Sequence, residues 1–372
     1  MAGTKENNFG TLRLMFAAAV ILAHSPEILD GNRTRELITR IFGSSESFGS
    51  LGVDGFFIIS GFLVTRSWLS TDGVADYAKR RILRIYPGFV VASLICAFLV
   101  APLFGPGLNA LTSRRIASEI TRLPLLMPPH VGGVFPGLPY QELNVPMWTI
   151  AYEFRCYILV ALLGMATIFS RQARFLLLPI ALACLVAAGF IDDDAGSGHG
   201  LVSFLFGSAG HNVRLFGMFG AGMVFALFRD RIPLLNSVAA LAAVALILGL
   251  FSSLVSNLAI GVAGAYLIFW VAYRAPVLSL SRFTNRTDLS FGIYLYAWPI
   301  QSAIAFLTHR AMNPWAMSGV TLVLAASAAW LSWTFIEGPA MCFAHRPIPF
   351  SFPSLLPREA FGRGAGLKSK KP

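Results

Sequence analysis

Arg13 and His24 are the first residues in this sequence whose types and spacing could do chemistry, a cation and an imidazole eleven residues apart in an apolar run. On a helix they lie roughly 16 Å apart along the axis and, three turns on, share nearly one face. Small residues, Ala17, Ala18 and Ala19, stand between them. Charged side chains inside apolar segments are rare and usually face a protein interior or a water-filled cavity. Asp54 and Glu153 are two more, and their positions imply a depth similar to that of His24. A carboxylate near an imidazole in low dielectric stabilises the imidazolium and fixes the tautomer, the arrangement general-base chemistry uses. Plainer readings stand beside this one. Arg13 can snorkel and His24 can be a hydrogen-bonded core residue; Asp54 can cap a helix ahead of Phe56–Val64. Glu153 can pair with a buried partner, although Arg155, two residues on, does not share its helix face.

Arg81 and Arg84, within Lys79-Arg80-Arg81-Ile82-Leu83-Arg84, are three apart and so on one helical face. Guanidinium forks suit phosphate oxygens, and a helix start favours anions. The alternative is a basic flank that touches lipid headgroups. Trp148 fits an interfacial belt or a surface on which a sugar stacks. Asp192-Asp193-Asp194 with His199 could hold a cation, but a solvated loop is the preferred reading.

Whatever positions these groups must be built mostly from apolar residues. The chain has 372 residues, 56% apolar and 13% charged, about half the usual charged fraction, with recurring apolar runs of bilayer-spanning length. An all-α integral membrane protein follows. The net charge of +11 would suit nucleic acid only on a basic face of a soluble domain, and no such domain is visible. The four cysteines and six histidines show no ligand spacing, so the cysteines read as packing residues and no bound metal is expected. Lys5 and Arg13 ahead of Leu14–Ala23 loosely resemble a secretory signal, but without a convincing cleavage site the run reads as an uncleaved first span.

Ten spans are expected: Leu12–Leu29, Gly52–Trp68, Ile85–Leu103, Pro146–Phe169, Phe175–Ile191, Leu215–Phe228, Pro233–Leu250, Leu254–Ala272, Phe291–Leu307 and Trp315–Trp333. With both termini cytoplasmic, 20 of the 29 basic residues fall on the cytoplasmic side and eight outside. Removing the 14-residue Leu215–Phe228 span turns this into 10 against 18, contrary to the positive-inside rule. Residues 1–340 form the membrane domain, and 341–372, with its prolines and lysines, reads as a partly disordered cytoplasmic tail.

Four ordered motifs resemble those of the acyltransferase-3 family of integral membrane proteins, which acylate mainly bacterial surface and secreted glycans. They are Arg13-x10-His24; Gly52-Val53-Asp54-Gly55-Phe56-Phe57 with Ile59-Ser60-Gly61-Phe62; Arg81-x-x-Arg84 before Ile85-Tyr86-Pro87; and Pro146-Met147-Trp148-Thr149 running to Glu153, with Thr149 where the family has Ser. Glu337-Gly338-Pro339 resembles its closing E-x-P. Ala297 stands near where many members carry a second histidine, so any role of that group is absent. The resemblance implies ten spans in the bacterial inner membrane. It implies an acyl-CoA donor, most simply acetyl-CoA, held from the cytoplasm by Arg81, Arg84 and Arg13. His24 would be the catalytic base, positioned by Glu153 and supported by Asp54, acting directly or through an acyl-histidine. A glycan or lipid-linked saccharide would be the acceptor, with Trp148 against it. The alternative is a transporter of such a saccharide, since polar residues among many spans also describe a permeation path.

Overall fold

The computed structural model describes residues 7–344, with gaps at 44–45, 72, 108–111, 197–202, 204–205, 277–278 and 285–286, and residue 346. Lys5, His199, Arg286 and the tail from 347 lie outside the described residues. Among those described, all regular structure is helical: α1 Phe9–Asp30, α2 Leu37–Phe42, α3 Phe48–Ser70, α4 Val74–Phe104, α5 Ser113–Arg122, α6 Val145–Met165 and α7 Ala173–Ala187 come first. Then follow α8 Ala209–Phe228, α9 Asn236–Gly249, α10 Ser253–Tyr273, α11 Ser279–Thr284, α12 Ser290–Leu307 and α13 Pro314–Ala344. Seven of them (α1, α3, α4, α6, α8, α10 and α13) are long and apolar enough to cross a membrane. The other three expected spans fall on α7 and α9, which are apolar but shorter, and on α12, whose apolar run is interrupted by Gln301, Ser302 and tyrosines.

Large apolar side chains cover the outside of the bundle, with Leu241 69% and Val323 66% exposed. Water would penalise such a surface; lipid does not. The interior is assembled through small residues, as expected where lipid supplies no hydrophobic drive between helices. Gly61 and Gly222 meet reciprocally where α3 crosses α8. A Cβ on Gly61 would lie 2.0 Å from the Phe219 carbonyl oxygen, and one on Gly222 2.0 Å from that of Ile58. Gly52 and Gly55 give Phe16 of α1 the same close approach to α3. Packed against α3, α12 and α13, α1 has Ala17, Ile21 and Ile28 at most 1% exposed, so it is an inner helix and its polar residues face protein.

Three element boundaries differ from expectation, one because two serines cap the helix early and two because a charge found a partner. α3 starts at Phe48, capped reciprocally by Ser47 and Ser50 (3.0 and 2.8 Å), which leaves Asp54 inside the helix rather than at its cap. α4 starts at Val74 rather than Ile85, and the basic cluster rides on its first turns, where Arg80 pairs with Asp76 at 2.8 Å. α8 has 20 residues rather than 14, because Arg214 is matched by two aspartates and does not have to end the span.

Candidate functional site

The polar residues of α1 occupy two ends of the bundle. At one, His24 Nδ1 lies 2.7 Å from Glu27 Oε2, one turn along the same helix, and Arg33 donates to Glu27 Oε1 at 3.0 Å. With its hydrogen on Nδ1 facing the carboxylate, the ring keeps the Nε2 lone pair for proton transfer. The Trp298 ring sits edge-on at 4.9 Å from the imidazole and Tyr140 packs on Trp298 at 5.8 Å, so the dyad is walled by aromatics. The carboxylate that holds His24 is therefore Glu27, rather than Glu153 or Asp54. The signal for it was present as a histidine and a glutamate three apart; Pro26 between them masks it, because an internal proline usually marks a helix boundary.

Glu153, on α6, accepts from Ser60 (2.6 Å) and from the Tyr157 hydroxyl (2.7 Å). The Arg81 guanidinium lies over the Tyr157 ring at 5.5 Å and donates to Ser67 at 3.2 Å. Glu153 thus connects through Tyr157 toward the arginine end of the bundle. One turn earlier, the Thr149 hydroxyl meets that of Tyr294 on α12 at 2.6 Å, so the motif residues of α6 tie it to α3 and α12. Arg155 does not neutralise Glu153; it lies over Tyr152 and donates to the Phe206 carbonyl at 2.7 Å.

Asp54 is completely buried and accepts from Arg214 at 3.1 Å, while the same guanidinium reaches Asp193 at 2.7 Å. His211 lies 3.8 Å from Asp193 and its ring packs 4.3 Å from that of Trp148. This Asp-Arg-Asp group is a separate constellation that backs Trp148 and makes no contact with His24.

At the other end of α1, Arg13 and Arg84 are brought together on one carboxylate oxygen of Asp288: Arg13 pairs with Oδ2, and Arg84 donates to it at 2.5 Å. The second oxygen accepts from the Ser290 hydroxyl (2.6 Å) and backbone N–H (3.3 Å) at the start of α12. Burial alone would raise the Asp288 pKa, but the two guanidiniums and Ser290 outweigh it and hold the carboxyl well below the usual range. Asp288 is a site residue the sequence reading missed. An aspartate two residues ahead of a serine that opens an apolar run is the cap pattern that could have found it. Arg81, one turn before Arg84, keeps different partners, and its Nε is buried without a hydrogen-bond acceptor.

The chain belongs to the acyltransferase-3 family, whose model, described as an acyltransferase domain, matches residues 7–337. It is a multi-pass membrane acyltransferase. An O-acetyl transferase of Shigella phage Sf6 is 25% identical over 343 residues, covering 90% of this chain and 95% of that protein. Nodulation protein 10 of Rhizobium leguminosarum bv. viciae is 30% identical over 378 residues, 90% of this chain and 93% of that one. A shorter stretch of 114 residues, 30% of this chain and 27% of the relative, is 27% identical to the acyltransferase MdmB of Streptomyces mycarofaciens. No solved structure matches.

Proposed function

We propose that this protein is an acyl-CoA-dependent O-acyltransferase that moves an acyl group, most simply acetyl, to a hydroxyl of a bacterial surface or secreted glycan. The observation that carries the reading is that one buried helix presents Arg13, paired beside Arg84, at one end and His24, bonded to Glu27, at the other. Ten spans, with both chain ends in the cytoplasm and the protein in the inner membrane, place the arginine end where CoA is made. Arg13, Arg84 and the uncommitted Nε of Arg81 suit the phosphates of that donor.

His24 Nε2 takes the proton of the acceptor hydroxyl as its oxygen attacks the thioester carbonyl. Glu27 steadies the imidazolium that forms. The carbon–sulfur bond then breaks and the imidazolium returns the proton to the departing thiolate, leaving ester and free thiol. Glu153 positions Ser60 and Tyr157 along the path between the two ends, and Asp54 fixes Arg214 behind Trp148. The O-acetyl transferase name of one relative supports acetyl as the group carried.

Purified protein in lipid nanodiscs with labelled acetyl-CoA and bacterial polysaccharide tests this. Labelled ester should form, and His24→Ala should lower the rate on the order of 10²–10⁴-fold, the usual contribution of a general base. Arg84→Ala should instead weaken acetyl-CoA binding. Full activity in the His24 variant, or movement of saccharide across the bilayer without acylation, overturns the proposal.

A further inference from the structure

Beyond α5 the chain forms no long helix until α6, yet it is firmly held. The Glu119 carboxylate accepts from the His130 backbone N–H (3.3 and 3.2 Å), Arg122 Nε donates to the Pro128 carbonyl (3.0 Å), and Trp298 Nε1 donates to that of Glu142 (3.1 Å). Between this segment and the start of α6 lies a cavity of about 390 Å³, lined by Arg122, His130, Tyr140, Glu142, Asn144 and Trp148 among others. Its size falls in the lower range of small-molecule sites.

The lining chemistry is specific. Asn144 is 1% exposed; its Nδ2 donates to the Leu295 carbonyl at 2.7 Å, which fixes the amide orientation, and its Oδ1 accepts no hydrogen bond. A buried acceptor without a donor is costly unless a ligand or water supplies one. The fixed cation Arg122 and the carboxylate Glu142 balance, so the cavity carries little net charge from permanently charged groups. Aromatic surfaces of Trp148 and Tyr140 lie beside oxygen acceptors and guanidinium donors. An acyl chain would leave those polar groups unpaired, and an anion would face Glu142. A pyranose offers C–H faces for the rings and hydroxyls that both donate and accept.

We propose that this cavity binds one neutral sugar residue of the acceptor. Tyr140 joins it to the chemistry: it lines the cavity, packs on the tryptophan that covers His24, and lies against Glu27. Burial first, and then the Glu27 charge, raise the Tyr140 pKa, so its hydroxyl stays protonated. As an acceptor subsite the cavity rests on the transfer proposed above; as a sugar site it can be tested alone.

Saturation-transfer NMR on the full chain in nanodiscs would use methyl glucopyranoside, galactopyranoside and mannopyranoside, with methyl glucuronide as the charged comparison. At least one neutral glycoside should bind, about tenfold more weakly in Trp148→Ala, and less well in Glu142→Gln and His130→Ala, whose exposed positions leave folding intact. The glucuronide should bind about fivefold more weakly than its neutral counterpart. Absence of binding by every neutral glycoside, equal affinity in all three variants, or preference for the glucuronide overturns the inference. Labelled acetyl-CoA separates the two proposals. Sugar binding without acyl transfer refutes the enzyme reading alone, whereas transfer with an acceptor KM unchanged in all three variants refutes the cavity assignment alone.

Discussion

His24 would be an ordinary half-buried imidazole without Glu27, and the bond between them decides its tautomer. Replacing Glu27 by Gln keeps the shape, removes the charge and frees the tautomer. Turnover should fall about 10²-fold while acetyl-CoA affinity stays within about twofold, measured by rapid-mix transfer and by calorimetry. Equal turnover would leave Glu27 with only the task of holding Arg33. Asp288 makes a different prediction because its pKa is depressed by Arg13 and Arg84. Its contribution to stability is fully present above the unfolded carboxylate value near about 4, and is progressively lost as pH falls below that toward the depressed folded value. Thermal melting in detergent should therefore show an acid limb below about pH 4 that is shallower in Asp288→Asn; an identical limb in that variant would place the acid-sensitive group elsewhere. Arg13 and His24 were legible because a cation and an imidazole in an apolar run stand out by type, and Arg81 and Arg84 because their spacing puts them on one helical face. Glu27 and Asp288 were not, since each sits beside a residue (Pro26, Ser290) that suggests a mere helix end, and only the fold shows which cation each one meets.

Helices were recognisable from apolar length, and their ends were not, because a charge read from sequence looks like a boundary until its partner is known. Arg214 is the clearest case: the 14-residue span expected after it is a 20-residue helix with the arginine inside, neutralised by Asp54 on α3 and Asp193. The short α2 and α5 carry no long apolar run, so the span ruler passes over them. Spacing along one helix also cannot say which carboxylate of another helix arrives beside it, which is why Glu153 reads as a partner of His24 and turns out to face Ser60 and Tyr157. The α3–α8 crossing gives the element-scale prediction. A methyl group on Gly61 or Gly222 would collide with a backbone carbonyl at 2.0 Å, and backbone cannot rotate away as a side chain can. Gly61→Ala or Gly222→Ala should destabilise the fold by about 1–3 kcal/mol or force the helices apart. A lower melting temperature, with activity lost before unfolding, is the expected reading; unaltered melting in both variants would show that the crossing has room for a methyl group. Gly319, whose Cβ would meet nothing within 4 Å, supplies the control substitution.

At the scale of the whole molecule, the proposed chemistry requires two ends of one bundle to face two compartments, with Arg13, Arg84 and Asp288 toward the thiol ester and His24, Tyr140 and the cavity toward the glycan. The charge distribution supports this orientation through the positive-inside bias, but its parity depends on α7, α9 and α12 all crossing, and those are the three with the least length or hydropathy to do so. If α9 alone lay in the interface, every later loop would change sides, and the Arg13–Asp288 pair would join loops from opposite faces of the membrane. That pair, together with the bond from the Asn8 backbone N–H to the Ala272 carbonyl at 3.1 Å, places the start of α1 beside the end of α10 and the start of α12. All three ends must then share a compartment, which an even number of crossings between the start of α1 and the end of α10 satisfies. Single cysteines in a background with Cys184 and Cys342 replaced by serine can read this in intact cells. Arg274→Cys and Arg229→Cys should resist a membrane-impermeant maleimide until the cells are opened, whereas His130→Cys and Arg310→Cys should be labelled at once. Labelling of Arg274→Cys with protection of Arg229→Cys would mean an odd number of crossings between them, and Arg13 and Asp288 would then lie in different compartments, which their ion pair forbids.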